Sequence, residues 1–280
     1  MTWFLALNLV NGPFPQLARG IRSSKIVQGI DAVMPAPPSL LGEAQRVLSM
    51  LGLPNVFVGL PPVPAEPVAP PAGTDARSAY LAAAPSTFEI LGSGCYQGFL
   101  NEGTGFVVGH ELLVTNAHVV AGTDELWIHT AEQDYEAQVV LFDPELDIAI
   151  LRVPDLEAPP IPLLEGEVTR GAGGAVLGYP GGGPLATSPA AVRQVIDPVG
   201  RNIYGQGEVT RRLYEIQAEV RRGNSGGPFV LPNGKAAGVV FANSVIDESV
   251  GYAIASTEVA PLVREASART HEVATGACTG

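Results

Sequence analysis

The chain has 280 residues and a net charge of −12, with 46% hydrophobic and 16% charged residues. That length can bury one large core or two modest ones. The acidic balance excludes a nucleic-acid partner, which would need a basic face, and no apolar run reaches the roughly 18 residues that cross a bilayer.

In chain order, the first apolar stretch, Trp3–Val10, stops at Asn11-Gly12-Pro13 and has no basic n-region, so it does not read as a signal peptide. Residues 1–53 are mildly helical: Leu40, Leu41, Val47, Leu48 and Leu51 follow helical spacing, and Arg19, Arg22 and Lys25 read as a solvated face. From Pro54 to Asp75, Pro61, Pro62, Pro64, Pro67, Pro70 and Pro71 predict an extended, semi-rigid linker. The charge changes beyond this point. Residues 1–80 carry 5 basic and 4 acidic side chains, and residues 81–280 carry 11 and 24.

After Tyr80 the pattern is one of short strands set off by Gly, Asn, Asp and Pro turns. One group is predicted at Gly105–Gly109, Glu111–Thr115, Glu125–His129, Tyr135–Phe142 and Asp147–Val153. Pro154–Gly173 reads as a connector. A second group follows at Gly174–Gly178, Ala190–Ile196, Glu208–Glu219, Pro228–Leu231, Lys235–Ala242 and Gly251–Ala255. Ser256–Ala268 reads as a closing helix capped by Ser256 or Thr257, with Glu258 in its first turn. Two strand groups and a helix point to an all-β protein of two packed barrels. Cys95 and Cys278 are far apart and have no zinc-ligand spacing. Spacing alone leaves a disulfide and two independent thiols equally open.

Three segments carry reactive side chains. Thr115-Asn116-Ala117-His118-Val119-Val120 follows a predicted strand, Leu146-Asp147-Ile148-Ala149-Ile150-Leu151 opens one, and Arg222-Gly223-Asn224-Ser225-Gly226-Gly227-Pro228 is a loop. Taken singly, His118 reads as a core histidine and Asp147 as a turn cap. The serine segment is more specific. Its glycines let the backbone approach a reacting group and aim several N–H groups at it, as an oxyanion hole requires.

Together, "TNAHVV", "DIAIL" and "GNSGGP" resemble the three motifs of chymotrypsin-like serine proteases, of the bacterial type that includes the HtrA proteins. The order His, Asp, Ser separates them from subtilisins and α/β-hydrolases. The resemblance covers about residues 80–268. It implies two six-stranded antiparallel barrels with a C-terminal helix, and a serine endopeptidase acting on protein or peptide substrates without metal or cofactor. Ser225 would be the nucleophile, His118 its base and Asp147 the carboxylate orienting the ring. Gly223, Asn224 and Ser225 would form the oxyanion hole. Asn224 stands where secreted digestive relatives carry the Asp that receives a freed N-terminus, so the resemblance implies no such zymogen switch. A catalytically silent peptide- or cell-wall-binding sensor is the competing class. The full set of His118, Asp147 and Ser225 argues against it.

The front segment, "PQLARGIRSSKIVQGIDAVMPAPP" through "EGTGFVVGHELLVTNAHVVAGTDEL", is similar to the actinobacterial acid-resistance periplasmic proteases. In that family a colicin-V-production-like membrane domain of four helices precedes the protease. The resemblance implies residues 1–53 as a juxtamembrane remnant, 54–79 as linker and 80–280 as a protease domain. Within that domain the barrels would span about 84–155 and 168–256, with the helix at 256–268. It further implies an extracytoplasmic place, membrane association through an upstream domain largely missing from this chain, and a monomeric protease domain. It also implies a Cys95–Cys278 disulfide. The substrate pocket is expected from Glu219, Val220, Arg221, Phe241, Asn243 and Gly251. Val220 and Phe241 would favour small or aliphatic residues, while Glu219 either accepts a basic residue or pairs with Arg221 or Arg222. The run Leu177–Gly183, "LGYPGGG", lacks the ending of a phosphate-binding loop and reads as a structural turn.

Overall fold

The computed structural model of the chain describes residues 64–96, 99–244 and 247–279. The helical reading of residues 1–53 and the start of the Pro-rich linker lie outside them. The first sheet is built from β1 (Thr87–Tyr96), β2 (Phe99–Gly109), β3 (Leu112–Thr115), β4 (Glu125–His129), β5 (Asp134–Glu136), β6 (Gln138–Asp143) and β7 (Ile148–Arg152). Its order is β5-β4-β1-β2-β3-β7-β6. There follow β8 (Gly173–Gly178), β9 (Ala186–Ile196), the short β10 (Val199–Gly200) and β11 (Val209–Thr210), β12 (Leu213–Gln217), β13 (Pro228–Val230), β14 (Ala236–Asn243) and β15 (Val250–Ala255). Six of them close a barrel in the order β12-β15-β14-β13-β8-β9.

The second strand group thus forms the expected six-stranded barrel. The first is a seven-stranded sheet rather than a closed six-stranded barrel. Strand β1 escapes the sequence pattern because its polar–apolar alternation lasts only from Thr87 to Ile90 before Leu91, Gly92, Ser93 and Gly94 interrupt it. The segment predicted as Tyr135–Phe142 divides at Ala137, whose N–H turns to Leu126 O at 2.9 Å. The segment Glu208–Glu219 divides into β11 and β12.

Several strands read as unbroken apolar runs because both of their faces are buried. Leu112, Val114, Ile148 and Ile150 face the layer between the sheet and the barrel, packing with Leu177, Leu213 and Phe241. Their neighbours Leu113, Ala149 and Leu151 face the opposite way, with Ile90, Val107 and Ile128. The barrel interior sets Tyr214 and Phe229 among Ala190, Ala237, Ala253 and Ala255. Small residues opposite large ones fill a narrow barrel without voids.

Two helices cover the layer between sheet and barrel. Helix α1 (Gly73–Ala83) was not expected. It starts two residues before the predicted end of the linker, as soon as the prolines cease, and buries Ala76, Ala79 and Ala83. The third α-helix among the described residues, Ser256–Ser267, follows a short turn described below and buries Val259 and Ala266 beside Leu262 and Val263. Its N-cap is Ala255 rather than Ser256 or Thr257. The Ser256 hydroxyl instead donates to Leu164 O at 2.8 Å, tying the helix start to the connector. No helix among the described residues is long and apolar enough to cross a membrane.

The described part of the Pro-rich segment is anchored to the barrel. Ala65 N–H donates to Glu215 Oε1 at 2.8 Å, and Arg170 donates to Glu66 O at 2.8 Å. Glu215 is fully buried and forms an ion pair with Arg193 at 3.3 Å, while Gln194 donates to its other oxygen. A buried carboxylate is tolerated when a cation and hydrogen bonds reach its oxygens in this way.

Burial also sets the alkaline limit of stability. Burial pushes the Tyr252 hydroxyl up to about 12, against a weaker opposing hydrogen bond with Ser244. It raises Tyr179, Tyr204 and Tyr214 in the same direction. An unfolded tyrosine titrates near about 10. A raised folded value means that the stabilisation is complete below that pH and is lost as pH rises towards the folded value. The fold should therefore weaken from about pH 10 to 12. Denaturant midpoints across that range, read beside tyrosinate absorbance, check this. Flat midpoints with full ionisation would contradict it.

Candidate active site

The turn α2 (Ala117–Val120) follows β3 directly and carries His118. The Asp143 carboxylate caps the next turn, accepting Glu145 N–H at 2.9 Å and Leu146 N–H at 2.8 Å. That turn delivers Asp147 to the start of β7. Asp147 holds a left-handed backbone, φ +64°, unusual for a residue with a side chain. Three hydrogen bonds hold it there. Its Oδ2 accepts His118 Nδ1–H at 2.7 Å, its Oδ1 accepts His118 backbone N–H at 2.9 Å, and its carbonyl accepts Asn116 Nδ2–H at 2.8 Å.

The Asp147 side chain is 1% exposed and that of His118 12%. A carboxylate can only accept, so Nδ1 carries the proton and Nε2 is left as a base. The second contact, to the His118 backbone, makes the grip two-pointed and fixes the ring's orientation.

Ser225 lies in the loop between β12 and β13, on the barrel. The peptides around it are held one after another. Arg222 O accepts Gly181 N–H at 2.9 Å, and Asn224 O accepts Gly227 N–H at 2.9 Å. In a trans peptide the N–H points opposite to the carbonyl. The N–H groups of Gly223 and Ser225 therefore face the other way, and they make no hydrogen bond among the described residues. Two free N–H groups on the peptides around a serine hydroxyl are suited to receive an oxyanion. The Asn224 N–H, expected in the same set, donates to Arg221 O at 3.0 Å and is not available. The Ser225 side chain likewise has no hydrogen bond among the described residues.

Glycine is required three times in this loop, at Gly227 because a Cβ there would collide with Leu177 O. Gly223 has φ +95°, and a Cβ there would collide with Tyr179 O. Gly226 has φ +84°, and a Cβ would collide with Thr104 O and the Thr115 hydroxyl. The second contact brings the serine loop against the end of β3, three residues before His118.

The residues expected to line the substrate pocket divide. Val220 packs so closely on Gly251 that no Cβ could be added to the glycine, and Asn243 pairs with Gly251 across β14 and β15. These three come together. Phe241, on the same strand as Asn243, is 1% exposed and packs in the cluster that holds Leu177 and Leu213. Glu219 and Arg221 form an ion pair with side chains 61% and 67% exposed, worth little in energy.

Cys95 and Cys278 form a disulfide with Cα atoms 5.6 Å apart. Around it, Gly122 N–H donates to Thr275 O at 3.2 Å and Val273 N–H to Val139 O at 2.8 Å. The C-terminal tail is thereby fastened to the segment just after the His118 turn. Among the described residues, no group of His, Cys, Asp and Glu could hold a metal ion.

Residues 103–239 match the trypsin-like peptidase domain. The serine protease Rv3671c of Mycobacterium tuberculosis is 38% identical over 285 residues, covering 99% of this chain and 70% of that protein. Protease Do-like 4, mitochondrial, of Arabidopsis thaliana is 36% identical over 157 residues, covering 54% and 30%. The crystal structure of the active form of the Rv3671c protease superposes with a TM-score of 0.74 at 38% identity, over 80% of this chain and all of that one. An inactive form superposes with a TM-score of 0.64 at 39% identity, over 72% of this chain and all of that one.

Proposed function

This chain belongs to the trypsin-like serine peptidases, and on that premise we propose how its residues carry out the hydrolysis of peptide bonds. Ser225 Oγ attacks the scissile carbonyl. A serine hydroxyl is a weak nucleophile at neutral pH, so His118 Nε2 takes its proton as the C–O bond forms. Asp147 keeps the ring in the tautomer that leaves Nε2 bare and stabilises the imidazolium. The tetrahedral oxyanion is received by the N–H groups of Gly223 and Ser225. The imidazolium then protonates the leaving amine, and water, activated by the same ring, releases the acyl group from Ser225.

The observation that carries this reading is the two-pointed Asp147–His118 contact, at 2.7 and 2.9 Å, together with the two free N–H groups around Ser225. A silent binding module would need neither. The contact of Val220 with Gly251 supports a preference for small or aliphatic side chains in the pocket.

The protease unit is residues 80–280, which takes in the end of α1, with the rest of that helix and the anchored Pro-rich segment packed on it. Its setting is extracytoplasmic, with membrane association through an upstream domain, a single copy of the protease unit, and envelope proteins met under acid stress as substrates. The similarity of the front segment supports this, as does the disulfide, a bond that persists in oxidising compartments.

A fluorophosphonate probe tests the nucleophile. The full chain should take up one adduct, which peptide mapping finds on Ser225. No adduct, or one on another residue, would overturn the assignment.

A further inference from the structure

The backbone around Ser225 is held from the first sheet by one side chain. Thr104, on β2, is fully buried. Its hydroxyl donates to Gly223 O at 2.6 Å and accepts Tyr179 N–H at 3.0 Å. Its own N–H donates to Ser225 O at 2.8 Å, and its carbonyl accepts the Thr115 hydroxyl at 2.7 Å. Arg222, Gly223, Asn224 and Ser225 thus have all four carbonyls held in succession, two of them by Thr104.

The other support is the turn Tyr179–Gly182, part of the glycine-rich run that reads from sequence as a structural turn. Its Gly181 N–H holds Arg222 O, and its Tyr179 N–H holds the Thr104 hydroxyl. The hydroxyl is therefore a bridge. On one side is the turn, on the other the Gly223 carbonyl, and both of its hydrogen-bonding roles are filled.

We propose that Thr104 is a positioning residue that latches the oxyanion loop, and that the glycine-rich turn Tyr179–Gly182 is the other half of the latch. This rests on the reading of Ser225 as nucleophile and of Gly223 and Ser225 N–H as the hole. With the hydroxyl in place, the Gly223–Asn224 peptide cannot rotate without breaking a short buried hydrogen bond. The peptide before it, which supplies the Gly223 N–H, is pinned by Gly181. Remove the hydroxyl, and the buried Gly223 O and the partly buried Tyr179 N–H both lose their partner. The Gly223–Asn224 peptide and the turn whose Gly181 pins Arg222 O then both shift, and the Gly223 N–H moves away from the hole with them. Thr104 itself touches no reacting atom.

The test compares Thr104→Val, which keeps the shape and loses the hydroxyl, with Thr104→Ser, which keeps the hydroxyl. Both are made in the full chain. Losing one oxyanion donor outright costs about 10²–10³ in rate, so loosening one should lower kcat by about 10–100-fold. KM should change by no more than about twofold, because the hole acts on the transition state. A peptide boronate, whose boron-bound oxygen occupies the hole after bonding to Ser225, should lose affinity in T104V by about the factor lost in kcat. T104S should recover most of both.

Wild-type kcat in T104V would overturn the proposal. So would equal losses in T104V and T104S, or a fall in kcat with boronate affinity unchanged. Should T104V fail to fold, Thr104→Cys, of similar size but with only a weak donor, replaces it in the same comparison. A wild-type chain that takes up no fluorophosphonate would instead fail the nucleophile reading and this proposal with it. A labelled wild type with an unimpaired T104V fails this proposal alone.

Discussion

Replacing Ser225 by Ala should lower kcat on a peptide substrate by about 10⁶-fold, the size of loss seen when the nucleophile of a triad is removed. The hydroxyl is the only part of the side chain that alanine lacks. It makes no hydrogen bond among the described residues, so nothing structural is lost with it. The loop is held instead through backbone carbonyls: Ser225 O by Thr104 N–H at 2.8 Å and Asn224 O by Gly227 N–H at 2.9 Å. The variant should therefore melt at the wild-type temperature and bind substrate with similar affinity. It should retain a small rate above that of water, because the oxyanion donors and the binding surface remain. Initial rates with a fluorogenic peptide, beside a thermal melt, check both halves. A loss below about tenfold would assign the chemistry to another residue.

Asp147→Asn should lower kcat by about 10⁴-fold with the fold intact. The two oxygens of Asp147 accept from two different donors of His118, the ring at 2.7 Å and the backbone at 2.9 Å. An asparagine has one acceptor and one donor in their place. If its oxygen keeps the backbone N–H, its NH₂ faces Nδ1. The ring must then move its proton to Nε2, where it can no longer take the proton of Ser225. If its oxygen keeps the ring, the NH₂ opposes the His118 backbone N–H and the turn is forced apart. Either way the base is spoiled. Proton NMR of the ring, which reports the nitrogen that carries hydrogen, separates the two cases. A variant within about tenfold of wild-type kcat would remove Asp147 from the mechanism.

The fold was legible where periodicity and turn residues agree. The strand Glu125–His129 lies where the sequence predicts it, and most of the barrel strands lie within a few residues of their predicted places. Strand β1 was missed because its alternation runs over only Thr87–Ile90 before two glycines, Gly92 and Gly94, interrupt it, too short a stretch to mark a strand. Helix α1 was missed because its buried face is only alanine, which gives a weak hydrophobic pattern, and because the prolines before it dominate the local composition. Whether the first sheet closes depends on which strand ends meet. Hydrogen bonds between residues far apart in sequence decide that, and no local pattern carries it.

At the site, the sequence by itself singled out His118, Asp147 and Ser225, because three motifs in the order His, Asp, Ser together resemble one family although the first two are bland taken singly. The glycines beside Ser225 are there because Tyr179 O, Thr104 O and the Thr115 hydroxyl leave no room for a Cβ, and that constraint is written into the motif. Only the tertiary structure decided which N–H groups are free. Asn224 was expected in the hole, and its N–H is bonded to Arg221 O. Thr104 was in view within the "EGTGF" run but had no assigned role. Its function comes from Gly223, 119 residues away. A hydrogen bond of that kind is set by how two layers pack, and the direction of a side chain across an interface is fixed by packing rather than by its neighbours in the chain.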